Sequence, residues 1–451
     1  MSNSKFNKLF VVAFIGLSSS IGIKSFAENP IIQTKYTADP APMVYNDTVF
    51  LYTGHDEDDA TGFKMFNWML YTSTDMVNWT DHGIAASLKM FSWAADNGAW
   101  APQCIARNGK FYIYCPVSRK KGSMAIGVAV SNSPYGPFTD AIGKPLIENN
   151  STGDIDPTVF IDNDGQAYLY WGNPNCFYVK LNEDMISYSG SIVKIDSKPS
   201  NYQEGPWFYK RNGHYYLAYA STCCPEGIGY AMSNSPIGPW EYKGMIMDPN
   251  KLSSGNHPGI IDYKGNSYVF GFNYALLWAK YTTHYERRSI CVEKMTYNPD
   301  GTIQKLPFWS TTGTEQIGSL NPYRRNEAEC MAWESGVKTE KSDQTGVYVT
   351  DIDNGDYIKV KGVDFGKGAK SFEVSVASAS QGGKIEIHTD SLSGSLLGTC
   401  MVESTGGWQK WVTKRCTISK SKGKHDLYFV FTGGEGKMFN FDWWRFSTKG
   451  K

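Results

Sequence analysis

The chain has 451 residues, 41% hydrophobic and 14% aromatic, enough apolar side chains for two or more domains with real cores and too many for a disordered polypeptide. Lys plus Arg and Asp plus Glu balance at 44 each, which leaves no electrostatic footprint for nucleic acid or for an anionic membrane and favours an uncharged ligand. The first 27 residues read as a signal peptide, with Lys5 and Lys8, an apolar run from Leu9 to Leu17, and small residues up to a cleavage point after Ala27. That run is too short for a permanent membrane span, so the protein is expected to be exported, to the periplasm or beyond, and soluble.

From residue 28 to 315 helical periodicity is nearly absent, and short aromatic and β-branched runs alternate with Gly, Asn and Asp turns, the pattern of an all-β protein. Five hairpin turns align, beginning at Asn46-Asp47, Asn108-Gly109, Asp164-Gly165, Asn212-Gly213 and Lys264-Gly265. Each is preceded by a strand start that holds a proline, at positions 40, 102, 157, 206 and 258, a period of roughly fifty residues. One hairpin per period predicts a five-bladed β-propeller. Ser131–Phe138 and Ser233–Trp240 repeat as Ser-Asn-Ser-Pro turns closing on an aromatic, and are read as structural.

The first strand of a propeller blade lines the axis, so the residues beside the five prolines should ring one end of the channel. They are Asp39, Ala101 with Trp100, Asp156, Glu204 and His257. Like charges gathered at an enclosed axis repel one another and cost stability, which points to function rather than to surface charge. One carboxylic acid and one carboxylate on opposite sides of an anomeric carbon are what hydrolysis of a glycosidic bond needs, and a third carboxylate can hold the acid's pKa up.

Ala38-Asp39-Pro40, Ile155-Asp156-Pro157 and Glu204-Gly205-Pro206 together resemble glycoside hydrolase family 43, inverting five-bladed propeller enzymes that include arabinofuranosidases and β-xylosidases. The resemblance implies Asp39 as general base, Asp156 as pKa modulator and Glu204 as general acid. It also implies a role for His257, which in such enzymes helps hold a metal or water cluster, commonly assigned as calcium. Arg288 would bond a sugar hydroxyl or hold a catalytic carboxylate. Trp100, Trp171 and Trp207 lie near strand ends that face the mouth of the channel and are candidates for stacking on sugar.

After Gly313 the strand spacing changes. Residues 316–326 read as a linker, and 327–451 resemble a family 6 carbohydrate-binding module, a β-sandwich of jelly-roll type, through Glu327-Ala328-Glu329, Asn354-Gly355-Asp356-Tyr357 and Phe439–Trp444. The resemblance implies calcium bound by Glu327, Glu329 and Asp442, and sugar contacts from Trp408 and Asn440. The usual second stacking aromatic is replaced by Thr350-Asp351-Ile352-Asp353, so stacking on two faces is not expected.

The nine cysteines show no CxxC pair and no zinc pattern, and several sit in apolar strand-like runs where free thiols are expected; disulfide pairing is left open. No organic cofactor is implied. The expected protein is a monomeric exo-glycosidase acting on arabinoxylan or xylan, an α-L-arabinofuranosidase first, a β-xylosidase or dual-specificity enzyme second, and a non-catalytic polysaccharide-binding protein a remote third. Fructan-cleaving propellers are disfavoured, because Ile155 and Gly205 stand where those enzymes have Arg and Cys.

Overall fold

The computed structural model describes residues 28–149, 153–195 and 199–450; the signal peptide read at 1–27 lies outside them. Five antiparallel sheets follow one another along the chain. The first holds Tyr36–Tyr45, Thr48–Asp56, Asn67–Ser73 and Trp79–Ser87; the second is built on Lys110–Arg119 and Met124–Ser131. The third runs from Thr158–Ile161 to Tyr188–Lys194, the fourth from Tyr202–Arg211 to Glu241–Met247, and the fifth joins Gly259–Tyr263, Asn266–Asn273 and Ser289–Met295. These are the five blades. Of the five hairpins, Asn46-Asp47, Asn108-Gly109, Asn212-Gly213 and Lys264-Gly265 have positive φ at both turn residues, the twist that two-residue hairpin loops require. Alternate side chains of each strand pack between neighbouring blades, as where Tyr170, Phe208 and Trp240 meet edge to face.

Residues from Asn326 onward form a sandwich of two sheets. One contains Lys338–Ser342, Gly346–Thr350, Asn440–Ser447, Ala369–Ala377 and Val412–Ser421; the other contains Trp333–Ser335, Tyr357–Asp364, Lys424–Gly433, Gly383–Thr389 and Leu396–Val402. Phe372, Phe429, Phe441 and Trp444 fill the space between them. The sandwich is joined to the first blade by strand pairing, Cys330–Met331 adding to the outer edge of Trp79–Ser87. Polar contacts complete the seam, with Thr339 donating to Asp81, Asn78 bonding the Lys361 backbone both ways, and Lys359 bonding Glu28. Gln316, in the linker segment, bonds both Asp75 of the blade and the Lys361 carbonyl.

One covalent cross-link was not anticipated: Cys223 and Cys224, adjacent in sequence, form a disulfide, while Cys104, Cys115, Cys176, Cys291, Cys400 and Cys416 are buried and in no disulfide.

Candidate active site

The five X-Pro steps converge. Asp39-Pro40, Ala101-Pro102, Asp156-Pro157, Gly205-Pro206 and His257-Pro258 line one narrow axial channel. The register contains a refinement. Asp39 and Asp156 precede their prolines in the left-handed region, at φ 53° and 58°, and the residue with the same conformation in the fourth blade is Gly205, at 56°. Glu204 therefore stands one residue earlier. A Cβ on Gly205 would lie 2.7 Å from the His257 ring, so only glycine fits there. Displaced by one position, Glu204 is 19% exposed, against 4% for each aspartate. The acid thus reaches up into a cavity of about 390 Å³ that opens above the ring of prolines.

His257 lies between the three carboxylates, with Nδ1 3.5 Å from Asp39 Oδ1 and Nε2 3.2 Å from Glu204 Oε1 and 3.8 Å from Asp156 Oδ2. Burial pulls its pKa down, but the charges of Asp156, Asp39 and Glu204 outweigh that and lift it to about 10. The ring also belongs, with Asp156 and Glu204, to a group whose ligand atoms lie within 4.8 Å of one another and could hold a metal ion, the role expected of it. Asp156 is pushed up to about 7 by burial and by the charges of Glu204 and Asp39, against the pull of His257. Burial also acts upward on Glu204, but the hydrogen bond and charge of His257 and the Asn173 amide bring it below the usual range.

Arg288 holds a carboxylate rather than presenting itself to a sugar. Its Nη1 donates to both oxygens of Asp39 (2.9 and 3.2 Å), Nε and Nη2 to Asp56 (3.0 and 2.8 Å), and Nη2 also to Met65 Sδ. Its guanidinium is thus committed to the catalytic carboxylate, one of the two roles expected of it, on the wall of the cavity. Two tryptophans are corrected. Trp171 is fully buried between blades, with Nε1 bonded to Asp154, and Trp207 packs in the core with Nε1 on the Ile260 carbonyl. Trp100 does line the cavity, where Phe63, half exposed, stands 6.0 Å from its ring.

Several cavity residues were not anticipated. Asn173 donates to Glu204 Oε2, and Glu226 and Glu286 add carboxylates to the wall. Asn173 sits in Gly172-Asn173-Pro174, which reads as an ordinary turn; Asp56, beneath Arg288, belongs to the acidic stretch His55–Asp59, which reads as solvated charge.

In the sandwich, Trp408 is partly exposed with Lys437 over its ring at 5.0 Å. Asn440 is 1% exposed and spends its amide on the Trp408 carbonyl and the Thr350 hydroxyl, so it supports the cleft instead of facing it, a correction to its placement as a sugar contact. The three acids expected around calcium do not form one ligand set. Among the described residues, carboxylate, imidazole or thiol ligand atoms come within 4.8 Å of one another in threes only at Asp156, Glu204 and His257 and at Cys223, Cys224 and Glu226. Glu327 and Asp442 are both bonded to Arg325, whereas Glu329 Oε2 is buried with no hydrogen-bond partner. Burial and the charges of Glu327, Asp81 and Asp442 push Glu329 well above the usual carboxylate range. An all-oxygen donor set with an orphaned buried oxygen suits a calcium ion chemically, even though Arg325 now bridges two of its members.

The sequence model of glycosyl hydrolases family 43 matches residues 27–303, and that of carbohydrate binding module family 6 matches residues 327–448. The chain is 35% identical to an arabinoxylan arabinofuranohydrolase from Bacillus subtilis, over 97% of this chain and 96% of that one. It is 35% identical to an arabinoxylan arabinofuranohydrolase from Paenibacillus polymyxa, over 93% of this chain and 74% of the other. A crystal structure of a family 43 arabinoxylan arabinofuranohydrolase from Bacillus subtilis, in complex with cellotetraose, superposes with a TM-score of 0.82 at 34% identity, covering 94% of this chain and 99% of that one.

Proposed function

Because the chain belongs to glycosyl hydrolases family 43, an inverting family, and carries a family 6 carbohydrate-binding module, we propose that it removes α-L-arabinofuranosyl side groups from arabinoxylan. The observation that carries the chemistry is the placing of Asp39 and Glu204 on opposite nitrogens of one imidazole at the floor of the cavity. Both residues line the same cavity, as the acid and base of an inverting pair must if a water is to enter between them. The likeness along nearly the whole chain to two arabinoxylan arabinofuranohydrolases supports the choice of sugar.

In this reading Asp39, oriented by Arg288, takes a proton from the water that attacks the anomeric carbon, and Glu204 protonates the departing oxygen. Asp156 accepts from the Gly205 amide at 3.1 Å, which fixes the peptide that carries the acid. A polymeric substrate suits export, as the segment at 1–27 implies. For calcium, Glu327, Glu329 and Asp442 are the proposed ligands in the sandwich, where the ion would neutralise a buried carboxylate and take no part in bond cleavage, and His257 with Asp156 and Glu204 is the candidate group at the propeller axis.

Proton NMR of turnover on aryl arabinofuranoside and aryl xyloside tests the reading. Faster release of arabinose with inverted configuration is expected; a retained product refutes the mechanism, and preferential xylose release refutes the sugar.

A further inference from the structure

Glu226 lies in the connection between His214–Ser221 and Gly227–Ser233 of the fourth blade, the blade whose inner strand carries Glu204. It lines the cavity yet is only 4% exposed, while Cys223 and Cys224 before it are exposed at the protein surface. Its Oε2 accepts from Ser254 Oγ at 3.2 Å and from the Gly255 amide. Its Oε1 has a different neighbour, Cys224 Sγ at 3.6 Å, and that sulfur, being in a disulfide, carries no hydrogen to donate. Among the described residues Oε1 therefore lacks a donor. A carboxylate oxygen on a cavity wall in that condition is open to a donor from outside the chain. A sugar hydroxyl, donor and acceptor at once, completes it whether the carboxyl is ionised or protonated.

The position of Glu226 indicates which sugar. His257 turns Nδ1 toward Asp39 and Nε2 toward Glu204, and Glu226 belongs to the Glu204 edge: it binds Gly255, whose Cβ position lies 3.4 Å from Glu204 Oε1. The acid meets the glycosidic oxygen, and beyond that oxygen is the unit that stays on the polymer. We propose that Glu226 Oε1 hydrogen-bonds a free hydroxyl of the xylosyl unit that carries the departing side group, making Glu226 a specificity-determining residue of the leaving-group subsite. This rests on the arabinoxylan reading above. The Ser254 and Gly255 contacts fix the carboxylate's other oxygen, so the free one is held in place for that hydroxyl.

The test compares wild type with Glu226→Gln and Glu226→Asp on two substrates sharing the same side group, an aryl arabinofuranoside and an arabinosylated xylo-oligosaccharide. The aryl leaving group has no xylosyl hydroxyl to bind. The loss in kcat/KM on the oligosaccharide is expected to exceed the loss on the aryl glycoside by about tenfold or more, the range of one hydrogen bond to a charged group. Inhibition of aryl arabinofuranoside hydrolysis by xylotriose should weaken in parallel. Equal losses on both substrates, or none on either, overturn the proposal. If the wild type instead releases xylose, the sugar assignment has failed, and the same ratio measured on xylotriose against aryl xyloside still decides whether Glu226 binds the leaving group.

Discussion

Arg288 Nη1 donates to both carboxylate oxygens of Asp39, at 2.9 and 3.2 Å, from a guanidinium that is itself buried. The same guanidinium spans Asp56, which is completely buried. Removing it in Arg288→Ala leaves two buried carboxylates without their cation and should cost about 3–5 kcal/mol of stability, read from urea unfolding. Arg288→Lys keeps the charge but cannot serve Asp39 and Asp56 with separate arms of one plane, so kcat should fall with KM little changed. A lysine variant with wild-type kcat would show that the fork is not needed to orient Asp39.

Glu204 is the group that reaches the cavity, and its removal tests the reaction directly. Glu204→Ala should reduce sugar release from arabinoxylan by about 10²–10⁴-fold, the worth of a positioned general acid. Asp39→Asn should be impaired to a similar degree. Reducing-sugar output from Glu204→Ala equal to that of wild type would remove the chemistry from this site.

The sequence disclosed the axial ring because proline marks the same point in every blade, and a repeated mark survives wide variation in the residues between. The one-residue offset of Glu204 stands in Glu204-Gly205-Pro206 as well, but that it lifts the acid toward the cavity does not. That offset depends on the left-handed conformation, which Asp tolerates in the first and third blades and which Gly205 takes in the fourth, where the His257 ring leaves no room for a Cβ. Trp171 and Trp207 were misread for a simpler reason. Successive strand residues face opposite sides of a blade, and proximity to a strand end does not say which side is the mouth. Asp56 and Glu226 were hidden by their neighbours, since an acidic stretch and a Cys-Cys-Pro loop both resemble surface until the fold encloses them.

His257 makes stability fall as pH rises. Its pKa stands at about 10 in the folded protein against an ordinary 6.5, so its contribution is complete below pH 6.5 and is lost as pH rises through 10. The groups facing it are Asp39, Asp156 and Glu204, with Arg288 beyond Asp39 and Glu226 beyond Glu204. Asp156, raised to about 7, works in the same direction at lower pH, because a carboxyl that keeps its proton in the folded state loses that advantage as it ionises. The melting temperature of the wild type should therefore decline from pH 7 to pH 10 more steeply than that of His257→Gln. Parallel curves would mean that the imidazole is not charged.

Two tryptophans separate binding from packing. Trp171→Ala empties a fully buried site and strips Asp154 of a donor, and should cost about 3–5 kcal/mol with KM for any substrate that still turns over unchanged. Trp100→Ala, on the cavity wall beside Phe63, should leave the melting temperature nearly unchanged and raise KM several-fold. A reversal of these effects would restore Trp171 to the sugar site.

Calcium held by Glu327, Glu329 and Asp442, as proposed for the sandwich, would compete with Arg325 for the same carboxylates. Arg325 bonds Glu327 at 2.8 and 3.1 Å and reaches Asp442 at 3.4 Å, yet leaves Glu329 Oε2 buried without a partner. An ion that gathered all three would remove that penalty, and binding only the folded module it would stabilise it by about 2.7 kcal/mol at a hundredfold excess over its Kd. Chelation should therefore lower the melting transition of the sandwich in calorimetry. Arg325→Ala, which removes the internal competitor, should enlarge the difference between calcium-loaded and chelated protein, while Glu329→Gln should abolish it. If chelation shifts neither the wild type nor Arg325→Ala, the three carboxylates hold no ion, and Arg325 alone serves Glu327 and Asp442.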